Sequence, residues 1–387
     1  MRFILSVRAV MNPARQSRVL FVLAAAIFGC ALGVTSASAT SSAPMSKHIT
    51  IGVLNPDPSV SGDAYARSSI QALDIALAKL GRQHFTVKIV NSVPYTQVAT
   101  QTALQLFHRG AAVIYDIMSA GQLFYSACQQ VPTKACIEDF GPTGVTWPAK
   151  NTINFAYDEP ALYYLEGVAA GKLTKNGKTG FVSAFKAGYQ IANINAFALG
   201  CQSVHPNCSV RNVYINSYLD PPKEVEAAKT LLSAGIDVLN HGMDDISAIK
   251  TAAASKVWVF GDYNNDSNSV PNQWVTGTNY VSAYSKILTS QLRKVMNGTF
   301  TGNPKRIYAS PKWPDDTLQP WGKNVPATVK SAVAAVITKM HNGWNPFTGP
   351  IYDVSGKLRV PKGKGFAPHS DYVYGGWNWA VKGVSGA

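Results

Sequence analysis

An α/β protein built as two doubly wound parallel-sheet lobes joined by a hinge is the fold this sequence predicts. Two observations carry that reading. From His48 onward, apolar strand-like runs alternate with segments of helical period, and the alternation passes through the chain twice. The chain is also long for one compact core: taking residues 1–39 from 387 leaves 348, enough for two lobes of ordinary size.

Residues 1–39 read as an export signal that is removed. Arg2, Arg8, Arg15 and Arg18, with no acid among them, precede the apolar run Val19–Val34, and Ala37-Ser38-Ala39 offers the small residues a signal peptidase requires. Cleavage is expected after Ala39, which predicts a periplasmic protein working without ATP or NAD(P)H. Gly29-Cys30 stands near the place where a lipoprotein signal would be cut. Bulky Phe28 and the continuing run Ala31-Leu32-Gly33-Val34 argue against lipid anchoring through Cys30. No later stretch approaches the roughly 20 uninterrupted apolar residues of a membrane span, so a transmembrane helix is rejected. Disorder is expected only for the tail Thr40–Lys47.

The first series opens with strand His48–Leu54 and helix Asp63–Leu80, in which Ala64, Ile70, Ala72, Leu73, Ile75, Ala76 and Leu80 recur at helical spacing. Strand Phe85–Val90, helix Tyr95–Arg109 and strand Ala112–Ile117 complete a βαβαβ half, which implies parallel strands with helices on both faces. After strand Asn151–Tyr157 a second series follows. It runs through helix Ala161–Leu173, strand Gly180–Ala184, helix Ile191–Leu199, strand Val210–Ile215, helix Glu224–Ala234, strand Val238–Asn240, helix Ile246–Ala254 and strand Val257–Phe260. Helix Ser282–Met296, strand Arg306–Ala309 and helix Val325–His341 are too little for a third domain and are expected to complete the two lobes. The expected division is 48–153 with 279–315 in the N-terminal lobe and 154–278 with 316–387 in the C-terminal lobe. Sheets of this kind bind ligands beyond the carboxyl ends of their strands, which directs attention to the loops after Leu54, Ile117, Ala184, Asn240 and Phe260.

Composition narrows the function. With 46% hydrophobic and 14% charged residues the chain is globular, and its net charge of +14 falls to +10 once the four leader arginines are removed. The cations are scattered, with one short cluster at Lys357–Lys364, so a solvated basic surface is expected rather than a nucleic-acid site. Apart from Cys30, four cysteines form two local pairs, Cys128/Cys136 and Cys201/Cys208. Four cysteines allow three connectivities; in an oxidising compartment the local spacing suggests two short-loop disulfides, each contributing roughly 2.5 kcal/mol. Neither pair has zinc-knuckle spacing, and His205 is a lone candidate ligand, so no metal is expected.

Catalytic motifs are absent: the sequence holds no G-x-S-x-G, no H-E-x-x-H, no Walker A loop and no G-x-G-x-x-G after the first strand. Asp63, Asp116, Asp244, Asp245 and Asp262 stand at expected loop tips. A hydrolase could use two of them as acid and base, but accepting hydrogen bonds from a ligand or capping the following helix is the favoured reading. The chain is therefore expected to bind and not to catalyse, and no cofactor is expected.

Several segments together resemble one family. They are Ile194-Asn195-Ala196-Phe197-Ala198-Leu199-Gly200 with Ser203-Val204-His205-Pro206, Leu219-Asp220-Pro221-Pro222-Lys223-Glu224, Asn345-Pro346-Phe347-Thr348-Gly349-Pro350-Ile351, Gly356–Pro361 and the terminal Trp377-Asn378-Trp379. In this order they look like the BMP (basic membrane protein) family of ABC-transporter substrate-binding proteins, and in particular its purine-nucleoside receptors. The resemblance implies a type I periplasmic-binding fold that captures a purine nucleoside or nucleobase between its lobes and hands it to a membrane permease, acting as a monomer. An exported nucleoside hydrolase, or a sensor presenting its ligand to a membrane receptor, is the alternative.

The resemblance also implies residue roles. In Gly62-Asp63-Ala64-Tyr65, Tyr65 would stack on the base and Asp63 would make a polar contact. Asp116-Ile117-Met118-Ser119 departs from the family's small, Gly/Phe-rich loop, leaving Asp116 and Ser119 as polar contacts. Phe185 stands where an aromatic residue follows the strand, and Tyr189 where relatives carry an acid. Asp244, in a loop with extra residues, and Asp262, in the Gly-x-Asp-like segment Gly261-Asp262-Tyr263, would approach the ligand.

Overall fold

The computed structural model describes residues 48–142, 145–308, 313–314, 317–369 and 377–387. The expected export signal, Cys30 and the tail Thr40–Lys47 lie outside these residues. The described residues form one compact unit, and no helix among them is long and apolar enough to cross a membrane.

The first sheet has five parallel strands in the order β2-β1-β3-β4-β5. These are β1 (Ile49–Leu54), β2 (Phe85–Val90), β3 (Val113–Asp116), β4 (Ala135–Asp139) and β5 (Thr152–Phe155), with helices α1 (Ala64–Leu80), α2 (Gln97–His108) and α3 (Gln122–Gln130) between them. The expected elements recur here to within two residues at each end, and β2 has the bounds expected. Helix α3 and strand β4 are additions. Strand β4, ACIED, ends in two carboxylates that a sequence reading assigns to solvent, yet both are fully buried.

The second sheet has seven strands in the order β11-β10-β9-β8-β6-β7-β14, all parallel except the β10–β11 pair. Its strands are β6 (Lys178–Ser183), β7 (Ser209–Tyr214), β8 (Val238–Gly242), β9 (Trp258–Gly261), β10 (Trp274–Asn279), β11 (Thr317–Leu318) and β14 (Val384–Ser385). Helices α4 (Glu159–Leu173), α5 (Gly188–Val204), α6 (Pro221–Ser233) and α7 (Ser247–Ala254) pack on it. From β10 the chain returns through α8 (Val281–Met296), which packs on α1, and Ile307 then bridges to Phe155 of the first sheet. Helix α9 (Ala327–His341) packs on α4, and a hairpin of β12 (Ile351–Tyr352) and β13 (Leu358–Val360) follows. The expected strand Arg306–Ala309 is reduced to that one bridge at Ile307, and Ala309 lies outside the described residues.

Both disulfides join the expected partners, Cys128 to Cys136 and Cys201 to Cys208, with Cα separations of 6.2 and 5.9 Å.

Helices α4 and α5 pack closely against each other beside the second sheet. Lys172 is the only residue of α4 that escapes burial, and a helix apolar on every side must be enclosed on every side. Glycines let the two backbones touch. A Cβ on Gly167 would lie 2.1 Å from the carbonyl oxygen of Phe197, and one on Gly200 would lie 2.1 Å from that of Tyr164. Gly171 completes a G-x-x-x-G stripe, with a Cβ there 2.6 Å from the Cys201 carbonyl oxygen.

Candidate functional site

The loops that follow the strands of the two sheets enclose a cavity of about 500 Å³, a size suited to a small organic molecule. In the first sheet the strand order reverses between β1 and β3, and in the second between β6 and β8; crevices open at such points. Asn55-Pro56-Asp57 after β1 and Ile117-Met118-Ser119 after β3 line one side of the cavity. Ala187-Gly188-Tyr189 after β6, Asp244 after β8 and Tyr263 after β9 line the other. All five loops singled out in the sequence thus contribute lining residues.

Hydrogen bonds across the two sides fasten the rim. The amide of Ala64 donates to the Asp244 carbonyl oxygen at 3.1 Å, the Ser68 hydroxyl to the Tyr263 carbonyl at 3.0 Å, and the Asn264 side-chain amide to the Ala64 carbonyl at 2.8 Å. The start of α1 is therefore the place where the two sheets' loops meet.

Among the described residues, six aromatic rings border the cavity: Tyr65, Tyr95, Phe140, Tyr189, Tyr218 and Tyr263. Tyr189 donates its hydroxyl to the Tyr218 oxygen at 2.7 Å and stands edge-on to Phe140, with centroids 6.1 Å apart. Tyr95 donates to the Met118 carbonyl at 2.9 Å. Tyr65 donates to Asp139 at 2.7 Å, and its ring packs on Tyr263 and Tyr280. Three lining residues that are not glycine, Ser119, Phe140 and Tyr263, hold left-handed backbone with φ of 55°, 45° and 62°. Each such residue costs about 1–3 kcal/mol and tends to occur where geometry serves a ligand.

Three carboxylates face the cavity from separate elements. Asp63 caps α1, accepting from the Ala66 amide, and is 4% exposed. Burial holds its carboxyl above the ordinary range. Burial, then Asp63 beside it, pushes Asp57 up to about 7. Asp244 is raised well above the ordinary range by burial first and then by Asp63, Asp262 and Asp57. Arg306, the one cation on the lining among the described residues, donates to the carbonyls of Gly141 at 2.6 Å and Pro142 at 3.1 Å, bracing the loop that presents Phe140.

Among the residues named from the sequence, Asp63, Tyr65, Ser119, Tyr189 and Asp244 line the cavity together; Asp116, Phe185 and Asp262 do not. Asp116 is fully buried and accepts from the amides of Met118 at 2.9 Å and Ala120 at 3.0 Å, so it shapes the loop that carries Ser119. Phe185 is 37% exposed and packs edge-on against Tyr218 from outside, centroids 4.9 Å apart. Asp262 lies beneath the floor, accepting from the hydroxyls of Tyr163 at 2.9 Å and of Thr278, and Thr278 in turn accepts from the Tyr263 amide at 3.0 Å. Asp262→Ala would strip the buried Thr278 hydroxyl of its acceptor and leave Tyr163 only the His241 carbonyl; an expected loss of about 1–3 kcal/mol of stability should appear in urea unfolding.

The sequence reading did not identify Asn55, Asp57, Tyr95, Phe140, Tyr218, Tyr263 or Arg306. Phe140 had a usable signal: Gly141-Pro142 after the apolar Ala135-Cys136-Ile137 marks a turn at a strand end. Gly141 has its own reason, since a Cβ there would lie 2.1 Å from the Glu138 carboxylate. Among the described residues no cluster of His, Cys, Asp and Glu could hold a metal ion.

Residues 122–309 match the family model Bmp, described as ABC transporter substrate-binding protein PnrA-like. A purine-binding protein of Brucella abortus (strain 2308) is 29% identical over 222 residues, 57% of this chain and 61% of its own length. TsgA13 of Haloferax volcanii, provisionally named an ABC transporter glucose-binding protein, is 29% identical over 228 residues, 58% of this chain and 53% of its own. The match thus spans less than two thirds of either relative. An ABC transporter solute-binding protein of Conexibacter woesei superposes with a TM-score of 0.61 over 81% of this chain and 99% of its own. At 19% identity that likeness is one of fold, and the fold is that of the periplasmic-type solute-binding proteins.

Proposed function

We propose, from the premise that this chain is a member of the Bmp family of ABC-transporter substrate-binding proteins through residues 122–309, that it captures a purine nucleoside or nucleobase and delivers it unaltered to a membrane permease. The work is done outside the cytoplasm, after export directed by residues 1–39. The two lobes, 48–153 with 279–315 and 154–278 with 316–387, hinge to admit the ligand.

One observation supports this most: a cavity of about 500 Å³ at the carboxyl ends of two parallel sheets, bordered by six aromatic rings and three carboxylates. Rings suit a flat heteroaromatic guest, with stacking of each face contributing roughly 1–3 kcal/mol. Carboxylates suit the N–H and O–H donors of a base edge or ribose. Asp63, Tyr65, Ser119, Tyr189 and Asp244 are proposed as direct contacts, while Asp116, Phe185 and Asp262 hold them in place. The purine-binding relative supports the choice of ligand.

A ligand that donates to the carboxylates binds their ionised forms, so protonation competes with it. Asp57 carries a proton below about 7, and Asp63 and Asp244 are raised as well. Affinity is therefore expected to fall as pH drops from 8 to 5, by up to about tenfold per unit for each proton that must leave. Calorimetric titrations across that range check it; affinity rising toward low pH would mean that the carboxyls act as donors.

A thermal-shift panel of nucleosides, nucleobases, glucose and amino acids, followed by chromatography of the recovered ligand, tests the reading as a whole. Purine compounds should raise Tm by mass action and return intact. A shift with glucose alone would favour a sugar carrier, and recovery of free base from nucleoside would make the protein a hydrolase.

A further inference from the structure

We propose that the outer groove between α1 and α8 is an electrostatic docking surface for an anionic phospholipid membrane. The inference is independent of which ligand fills the cavity. The groove, about 420 Å³, is bordered by Lys79 at the end of α1 and by Lys286, Arg293 and Lys294 on α8. All four are exposed, and none makes an ion pair among the described residues. Lys286, Ser290, Arg293 and Asn297 recur at i, i+4, i+7 and i+11, which sets them in one stripe along α8 facing Lys79.

Among the described residues, no acid lines the groove. Helix α8 has no Asp or Glu in its 16 residues. Asp74, the one acid of α1, is held by Arg82 at 2.7 Å. Lys79, Arg293 and Lys294 lie in the last turns of their helices, where a cation complements the helix dipole. Lys286 lies in the second turn of α8, where the dipole offers a cation nothing, so capping does not account for the stripe.

The kind of partner follows from what the groove lacks. A protein interface is centred on buried aromatic or aliphatic anchors, and no exposed large hydrophobic residue of this chain is on α1 or α8. A single-stranded nucleic acid would need rings on which to stack, and the groove has none. Four long, flexible cations around hydroxyl and amide groups fit a diffuse layer of phosphates. Such a layer attracts each nearby Lys or Arg enough to change binding about five-fold, and salt screens the effect.

The test is cosedimentation of the purified full-length protein with vesicles of phosphatidylcholine, with and without phosphatidylglycerol. Binding to phosphatidylcholine alone reports any contribution of the apolar segment Val19–Val34, and the leader arginines Arg2, Arg8, Arg15 and Arg18 are common to wild type and variants, so the difference between those proteins reads the groove. Extra binding to the anionic vesicles should disappear near 0.5 M salt, where the Debye length is about a third of its value at about 0.05 M. The variant K79Q/K286Q/R293Q/K294Q should lose that extra binding by about 600-fold, about fivefold for each cation. Removing charge from the β12–β13 hairpin and the segment after it, K357Q/K362Q/K364Q, should leave binding within about fivefold. Unchanged Tm in both variants confirms that each is folded. Equal losses in both variants, no loss in the first, or no preference of the wild type for anionic vesicles would overturn the proposal.

Discussion

Replacing Phe140 and Tyr189 together by alanine is expected to abolish micromolar capture of a purine nucleoside. Both rings border the cavity from opposite sides, Phe140 from the loop after β4 and Tyr189 from the start of α5, and they meet edge-on at 6.1 Å. Both are only part-buried, so their loss should leave the core packed. Micromolar binding amounts to about 8 kcal/mol, and stacking supplies roughly 1–3 kcal/mol per ring. Losing about 2–6 kcal/mol moves a micromolar Kd to tens of micromolar at the least and beyond millimolar at the most. Tyr189→Ala also deprives Tyr218 of its hydroxyl partner, which loosens a third ring. Phe185→Ala is the contrast: that ring props Tyr218 from outside the cavity and should change Kd by less than about tenfold. Fluorescence titration of both variants reads the difference; wild-type affinity in the double variant would remove these rings from the site.

Gly200→Val is expected to destabilise the protein by at least about 3 kcal/mol, the largest effect of a single substitution on the fold. The obstacle is backbone, since a Cβ there would stand 2.1 Å from the carbonyl oxygen of Tyr164, and no rotamer change relieves it. Gly167, whose Cβ would stand 2.1 Å from the Phe197 carbonyl oxygen, behaves in the same way. The helices must separate, and the start of α5 carries Gly188 and Tyr189 into the cavity wall. Ligand binding and stability should therefore fall together. Lys172→Ala, at the exposed position of α4, should stay within about 0.5 kcal/mol. Urea unfolding of the three proteins compares them, and a Gly200→Val midpoint equal to wild type would show that the seam yields.

The sequence made periodic elements legible and concealed those whose polarity runs against their burial. Strand β2 and the helices other than α3 announce themselves through apolar spacing. Strand β4 does not, because Glu138 and Asp139 read as solvated. In the fold Glu138 accepts from the Gly121 amide and the Tyr125 hydroxyl, and Asp139 from Tyr65 and Tyr115. Their burial pushes the two carboxyls up to about 8 and about 6. Strand β10 was hidden for a different reason: Trp274-Val-Thr-Gly-Thr-Asn279 carries a glycine mid-strand, where close approach to the Gly261 backbone excludes a Cβ.

The candidate site divides along the same line. The loops after the strands could be named from topology alone, and they converge on the cavity. Which side chain of a loop points inward could not, because a turn rotates its residues by amounts that periodicity does not encode. Asp262 and its neighbour Tyr263 show this. The acid turns under the floor to meet Tyr163 and Thr278, while the tyrosine, held at a φ of 62°, faces the cavity.

The most direct test of ligand capture between the two sheets is a crystal structure of the protein grown with a purine nucleoside. Planar density in the cavity bounded by Ser119, Phe140, Tyr189 and Asp244, with the glycosidic bond intact, is the predicted result. Density for the nucleoside at another surface, or an empty cavity at saturating ligand, would contradict it.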